Sequence, residues 1–144
     1  MSFAIRQGSL AELVRVNQQI PEFAEPYTEA IFRERLEGRP WYGLVAESTN
    51  GLLGFKVGYE ESAEVFYSWL GGVLFEGRGQ GVATELLYEQ ERWAQGRGYK
   101  QIRVKSRNRF RAMLILLLKE GYDIVDVTPQ SDPADNRIHF LKTL

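Results

Sequence analysis

The chain has no cysteine and a single histidine, His139, among its 144 residues. Without thiols there is no disulfide, thiolate zinc site, iron–sulfur cluster or cysteine nucleophile. One imidazole cannot build a histidine-rich metal centre, so no metal is expected. No run approaches the ~18 apolar residues that cross a bilayer. The opening residues Met-Ser-Phe-Ala-Ile-Arg-Gln-Gly lack a basic stretch followed by a long apolar segment, so they do not read as a signal peptide. A soluble cytoplasmic protein without membrane attachment is the expectation. The formal net charge of −1 gives the chain no overall attraction for nucleic acid.

Apolar residues make up 44% and charged residues 26%, both ordinary for a globular protein. A chain of this length fits one domain, 1–144. On folding it buries roughly 68–70% of the surface its unfolded form exposes. The charge is unevenly spread. Residues 1–64 carry 10 acids and 6 bases, whereas residues 65–144 carry 9 acids and 12 bases. Arg97 to Arg111 holds seven cations and no acid. A solvated basic face is the plain reading of that stretch, and a site for an anionic ligand is the sharper one.

Phe3 to Gln7 reads as a short strand. Ser9, with Glu12 three residues on, makes a capping box for a helix that Pro21 ends. A second helix is expected from about Pro26 to Leu36, with Ala30, Ile31 and Leu36 inward. Strands at Trp41–Glu47 and Leu52–Glu60 flank the hairpin signal Asn50-Gly51. Val65 to Leu74 is apolar on both faces, as suits a strand covered on both sides. Val82, Leu86 and Trp93, with Ala83, Leu87 and Ala94, mark the buried stripe of a helix over about Val82–Gln95. Lys100–Ser106 alternates as a strand, with Ile102 and Val104 opposite Arg103 and Lys105. Asn108 is expected to cap a helix reaching about Glu120. That helix should be buried on most sides, because Met113 to Leu118 is apolar without a break. Two further strands, Tyr122–Val127 and Ile138–Leu141, flank a polar loop. The pattern predicts a mixed α/β (α+β) fold with about four helices. Its sheet is largely antiparallel, with one parallel pair joined through the Val82 helix by a right-handed crossover.

Gly77, Gly79 and Gly81 fall between the buried strand and the Val82 helix. First-turn amides of a helix are unpaired, the helix dipole adds roughly half a positive charge, and glycine lets a ligand approach the backbone. Arg78 adds a full charge. The combination reads as a cradle for phosphate or diphosphate, although glycines also serve plain tight turns. No Gly-Lys-Ser/Thr follows, which excludes a Walker A loop. The third glycine is at the wrong interval for the dinucleotide fingerprint.

Arg78-Gly79-Gln80-Gly81-Val82-Ala83 resembles the Arg/Gln-x-x-Gly-x-Gly/Ala signature of the GNAT superfamily of acyl-CoA N-acetyltransferases. Val73, five residues earlier, is similar to that family's small apolar residue at the end of its fourth strand. Asn108 and Gly121-Tyr122 resemble its Asn and Gly-aromatic positions, and the order of elements agrees over nearly the whole chain. The resemblance implies a GNAT-like sheet with a splayed central parallel pair, and acetyl-CoA as co-substrate. It implies that backbone amides at Gly79, Gln80, Gly81, Val82, Ala83 and Thr84, beside Arg78, hold the diphosphate. It implies that Gly72 and Val73 pair with the pantetheine arm and that Asn108 touches it. It further implies that the Val73 amide polarises the thioester carbonyl. Gly71-Gly72 fits a bulge where the parallel strands part.

The chemistry needs a base for the amine and an acid for the thiolate. Family members often use a tyrosine as the acid. Here its position is Ile115 counted from Asn108, or Leu117 counted back from Gly121, and neither donates a proton. Tyr122 and Tyr67 remain as donors, set against the plainer reading of core tyrosines. The family's strand glutamate is replaced by Arg103, which leaves Glu64, acting through water, as the base candidate, set against the plainer reading of a surface carboxylate. Arg103 and Lys105 are the candidates for holding a carboxylate or phosphate on the acceptor, and Trp69 and Trp41 for lining its pocket, set against the plainer reading of core packing. His139 reads as a surface or a hydrogen-bonded histidine.

The leading expectation is acetyl transfer to a small-molecule or peptide amine, with a homodimer allowed. An acyl-CoA-binding regulatory module without catalysis is the alternative. A nucleic-acid-binding domain built on Arg97–Arg111 is disfavoured by the alternation of its charges within a strand.

Overall fold

The first strand, β1 (Ala4–Gln7), hands over to the first helix, α1 (Leu10–Gln18), through the expected capping box. The Ser9 hydroxyl accepts from the Glu12 amide at 3.2 Å, and the Glu12 carboxylate accepts from the Ser9 amide at 2.9 Å. Arg6 donates to the same carboxylate at 2.6 Å. That bond, with the Ser9 amide, draws the Glu12 carboxyl down to about 2.

The computed structural model describes residues 2–23 and 25–144. After α1 come α2 (Glu29–Leu36), β2 (Trp41–Ser48), β3 (Gly51–Glu60), β4 (Val65–Val73) and α3 (Val82–Gly96). Then follow β5 (Gln101–Arg107), α4 (Arg111–Lys119), β6 (Asp123–Thr128) and β7 (Arg137–Thr143). The seven strands form one sheet in the order β1-β2-β3-β4-β5-β7-β6. Every neighbouring pair is antiparallel except β4 and β5, which run parallel.

Alternation along the strands sorts the core onto two faces. Phe55, Val57, Tyr59 and Trp69 pack with Leu13, Val16, Phe32 and Leu36 on the α1/α2 face. Phe66, Ile102, Val104 and Phe140 pack with Leu87, Ala94 and Leu117 on the α3/α4 face. At the far rim, β6 is exposed throughout, with Ile124, Val125 and Val127 facing solvent.

Several local expectations are corrected. α2 starts at Glu29, capped by Thr28, and buries Phe32 and Leu36, while Ile31 is exposed. Only Leu117 of α4 is buried, and Ile115 is 65% exposed. An unbroken apolar run carries no phase, so it could not say which side faces in. Asn108 does not cap α4. The N-cap position is Phe110, without a side-chain cap bond. Asn108 instead donates from Nδ2 to the Pro133 carbonyl at 2.9 Å, and from its main chain to Asn136 at 3.1 Å.

Candidate active site

β4 is paired on both edges for only half its length. Val65 to Ser68 pair in parallel with Gln101 to Val104. Beyond that point β4 runs on to Val73 beside β3 alone, and β5 runs on to Arg107 beside β7 alone. The two central strands therefore part after Ser68 and Val104 and leave a wedge-shaped gap.

The expected bulge is present, but two to three residues earlier than Gly71-Gly72. The β3–β4 register steps between Val57↔Leu70 and Tyr59↔Tyr67, so Ser68 and Trp69 face the single Gly58. An extra residue sharpens the local twist, here at the residue where β4 leaves β5. A Cβ on Gly58 would come within 2.5 Å of the Tyr67 carbonyl oxygen. Only glycine allows that approach.

Leu74 donates to the Leu53 carbonyl at 2.7 Å, which turns its main chain toward β3. Antiparallel alternation then turns Gly72 the same way and directs the amides of Gly71 and Val73 to the open edge. Gly72 thus contributes no main-chain donor to the gap. Its missing side chain makes room instead for Ile20, whose Cδ1 would lie 2.9 Å from a Cβ there.

The glycine turn follows directly. Gly79 and Gly81 have φ of +75° and +84°, conformations that side chains resist. Gly81 is the N-cap of α3, and its carbonyl accepts the first helical bond, from Glu85. Among the described residues, the amides of Gly79, Gln80, Gly81, Val82, Ala83 and Thr84 donate to no protein acceptor. Gln80 braces the turn by donating from Nε2 to the Glu76 carbonyl at 2.7 Å. Arg78 is not free. Its Nε donates to the Val73 carbonyl at 3.2 Å and its Nη2 to Glu22 at 2.6 Å.

Glu22 belongs to the α1–α2 connection, which reaches across the mouth of the gap. Phe23, next to it, packs edge-on against Phe110 beyond β5, with centroids 6.4 Å apart. The connection thus touches both walls.

The acid and base candidates are placed unequally. Tyr122 is buried and donates to the Glu91 carboxylate at 2.7 Å. Burial, then that bond, hold its phenol far above the usual range, so its proton is committed inside the core. Glu64 is exposed and precedes β4 at the paired end, with only its carbonyl engaged, by Lys100 and Gln101. It stands away from the gap. Leu117 is sealed in the core and Ile115 faces solvent. Tyr67 lies one residue before the point of separation, on the α1/α2 face. Burial, then Tyr59, push its phenol up to about 12.

On that same face Arg103 pairs with Glu61 at 3.1 Å. Lys105 has no ion-pair partner among the described residues and sets its ammonium 5.2 Å from the Tyr67 ring centre. Trp69 is buried beneath Tyr27, Phe32 and Arg35. Trp41 is half-buried against the same cluster. His139 is hydrogen-bonded to the Thr128 hydroxyl at 2.8 Å. Among the described residues no group of acids and histidines could hold a metal.

The site also contains a residue that the sequence reading passed over. Lys56 of β3 is 6% exposed. It lies directly across from Gly71 on the α3/α4 face. Its signal was a lone charge in the apolar run Leu52-Leu53-Gly54-Phe55-Lys56-Val57. A hollow of about 380 Å³ between α1 and β3, lined by Arg15, Gln19, Leu52 and Glu76, touches neither the glycine turn nor the open edge.

A central strand parted from its parallel neighbour, leading into a turn of free amides, is the geometry of a GNAT acetyltransferase fold, and solved structures agree. The Ard1 structure from Thermoplasma volcanium superposes with a TM-score of 0.83 at 20% identity, covering 100% of this chain and 99% of that one. The ribosomal-protein-S18-alanine N-acetyltransferase from Escherichia coli gives 0.84 at 15% identity, covering 99% and 94%. A GNAT family acetyltransferase from Elizabethkingia anophelis, solved with acetyl-CoA bound, gives 0.75 at 16% identity, covering 99% and 98%. The chain has the GNAT fold. No protein-family model matches the sequence, and no curated protein matches it.

Proposed function

We propose that the protein transfers an acetyl group from acetyl-CoA to a primary amine. The observation that carries this reading is the continuity of the free amides from Gly79 to Thr84 with the open edge of β4. Helix-terminal donors suit a diphosphate. An unpaired strand edge suits an extended arm that carries amides of its own. In this reading Val73, nearer the turn, pairs with the arm. Gly71, nearer the point of separation, presents its amide to the thioester carbonyl. The acceptor amine approaches from the α1/α2 face, past Tyr67. Nitrogen attacks the carbonyl carbon, the carbon–sulfur bond breaks, and the amine proton leaves through water. Asn108, whose amide nitrogen braces the loop at Pro133, holds the far wall of the gap in place.

Of the two cations expected to hold an acidic group on the acceptor, Lys105 is the one left without an ion-pair partner. Arg103 is occupied by Glu61. An acceptor amine with a carboxylate or phosphate close by fits that arrangement.

Thiol release from acetyl-CoA against pooled amines tests both parts. Release is expected with amines bearing an acidic group and weaker release with their neutral counterparts. Heat of CoA binding in calorimetry without any thiol release would reduce the reading to binding alone. Equal rates for acidic and neutral amines would remove the role of Lys105.

A further inference from the structure

The reaction described above needs a proton for the departing sulfur, and the two phenols are poorly placed to give it, since Tyr122 is held by Glu91 and Tyr67 lies on the opposite, α1/α2 face. Lys56 meets that need by position. A Cβ built on Gly71 would lie 3.4 Å from Lys56 Cγ and 3.5 Å from Lys56 Nζ. The lysine therefore lies across β4 over a residue with no side chain, and its ammonium stops beside the residue whose amide faces the gap. Neighbouring strands lie ~4.8 Å apart, so an arm laid along that edge passes about one strand spacing from Gly71. No hydrogen bond or ion pair to another described residue holds the ammonium. Burial pulls it down to about 8 from its ordinary value, and the field of Glu91 opposes that pull.

A buried cation without a partner is costly, and its surroundings do not relieve the cost. From α3 the facing carboxylate is Glu91, itself bound by Tyr122 and by Lys142 at 3.1 Å. Also on α3, Gln90 is fully buried, with neither end of its amide hydrogen-bonded among the described residues. On this face β4 offers Phe66, Ser68, Gly71 and Val73, none of them charged. β2 offers Leu44 directly opposite Lys56, with Ala46 and the phenol of Tyr42. Nothing in the fold requires a cation here.

Resting on the acetyl-transfer reading, we propose that the Lys56 ammonium stands beside the sulfur of the bound thioester and gives its proton to the departing thiolate. The carbon–sulfur bond breaks with its electron pair going to sulfur. A proton passes from Nζ to sulfur, leaving free thiol and neutral lysine. Lysine then regains a proton from the one the acceptor nitrogen sheds to water, so the cycle closes without another reactant.

The test needs no acceptor. Free CoA bound to the protein carries a thiol whose ionisation is read by the ultraviolet absorbance of the thiolate. A cation within about 4–6 Å lowers an acid's pKa by ~1–3 units. The bound thiol is expected to ionise at least about one unit lower in the wild type than in Lys56→Met. Lys56→Arg, which keeps the charge, is expected to retain the low value, and Tyr67→Phe to leave it unchanged. Equal thiol titrations in wild type and Lys56→Met, with CoA bound to both by calorimetry, would overturn the proposal. Absence of CoA heat in the wild type would instead overturn acetyl transfer itself. Lys56→Met is expected to fold, because it removes an ammonium that burial disfavours. Competitive labelling of wild-type Lys56 with acetic anhydride provides a second measurement. Protection by CoA but not by adenosine 3′,5′-bisphosphate is expected, and equal labelling with and without CoA would also count against the proposal.

Discussion

The two halves of β4 have the same main chain and opposite surroundings. From Val65 to Ser68 it lies between β3 and β5, and Phe66 is fully buried. From Trp69 to Val73 it is bonded on one edge only. The first half sets the position of the second. Four parallel residue pairs and a bulge against Gly58 fix where the strands separate, and the width of the gap follows. In the proposed reading, stability and ligand contact are thus divided along one strand of nine residues, so substitutions in the two halves should act on different measurements.

The strongest way to sharpen that division is Phe66→Ala in the paired half. It should cost about 3–5 kcal/mol in urea unfolding and leave the CoA affinity of the folded fraction unchanged. A parallel loss of affinity would mean that the halves are not separable. At the end of the open half, Gly81→Ala places a side chain at φ +84°. It should cost on the order of 1 kcal/mol in stability but lower CoA affinity about tenfold or more, read by calorimetry.

Glu12→Gln lies outside both halves and serves as the reference. Loss of the negative charge, and with it of the Arg6 ion pair at the helix start, should cost about 1 kcal/mol at neutral pH with no change in CoA binding. The Glu12 carboxyl ionises near 2 in the fold, below its ordinary 4.5. Its contribution is therefore full above about 4.5 and disappears as pH falls toward 2. Wild type and Glu12→Gln should converge in melting temperature across that interval. The smallest stability change is expected from Glu22→Gln. An exposed ion pair contributes about 0–1 kcal/mol, but its loss frees Arg78 beside the glycine turn. CoA affinity should rise at low salt and the gain should shrink as salt is added. Affinity unchanged at every salt concentration would show that Arg78 has no part in binding.

The order of strands and helices was legible because it follows from periodicity and turn residues that act locally. The glycine turn was legible for the same reason, since Gly79 and Gly81 mark positive φ whatever surrounds them. The open edge of β4 was less so. Which β4 amides face the gap depends on register against β3, and register is a property of two strands. Sequence marks Gly72 with Val73 as the pairing residues and Gly71 only as part of a bulge, whereas the register turns Gly72 toward β3 and Gly71 toward the gap. The place of Lys56 is illegible in sequence for the same reason. Its meaning comes from the glycine opposite it, fifteen residues away in sequence. Asn108 looked like a cap by residue type, yet the loop at Pro133 claims its amide. By residue type Tyr122 reads as a core tyrosine or a donor, and only the fold brings Glu91 of α3 onto its hydroxyl.

Unpaired strand edges ordinarily invite other chains, and proteins guard their sheet rims for that reason. The edge of β4 carries no such hazard although it is bare, because β5 stands on its far side. A second sheet cannot enter, whereas a thin molecule can. The fold keeps main-chain donors unspent in its interior without becoming a seed for aggregation. The exposure to that risk lies at the opposite rim, where Ile124, Val125 and Val127 of β6 face the solvent.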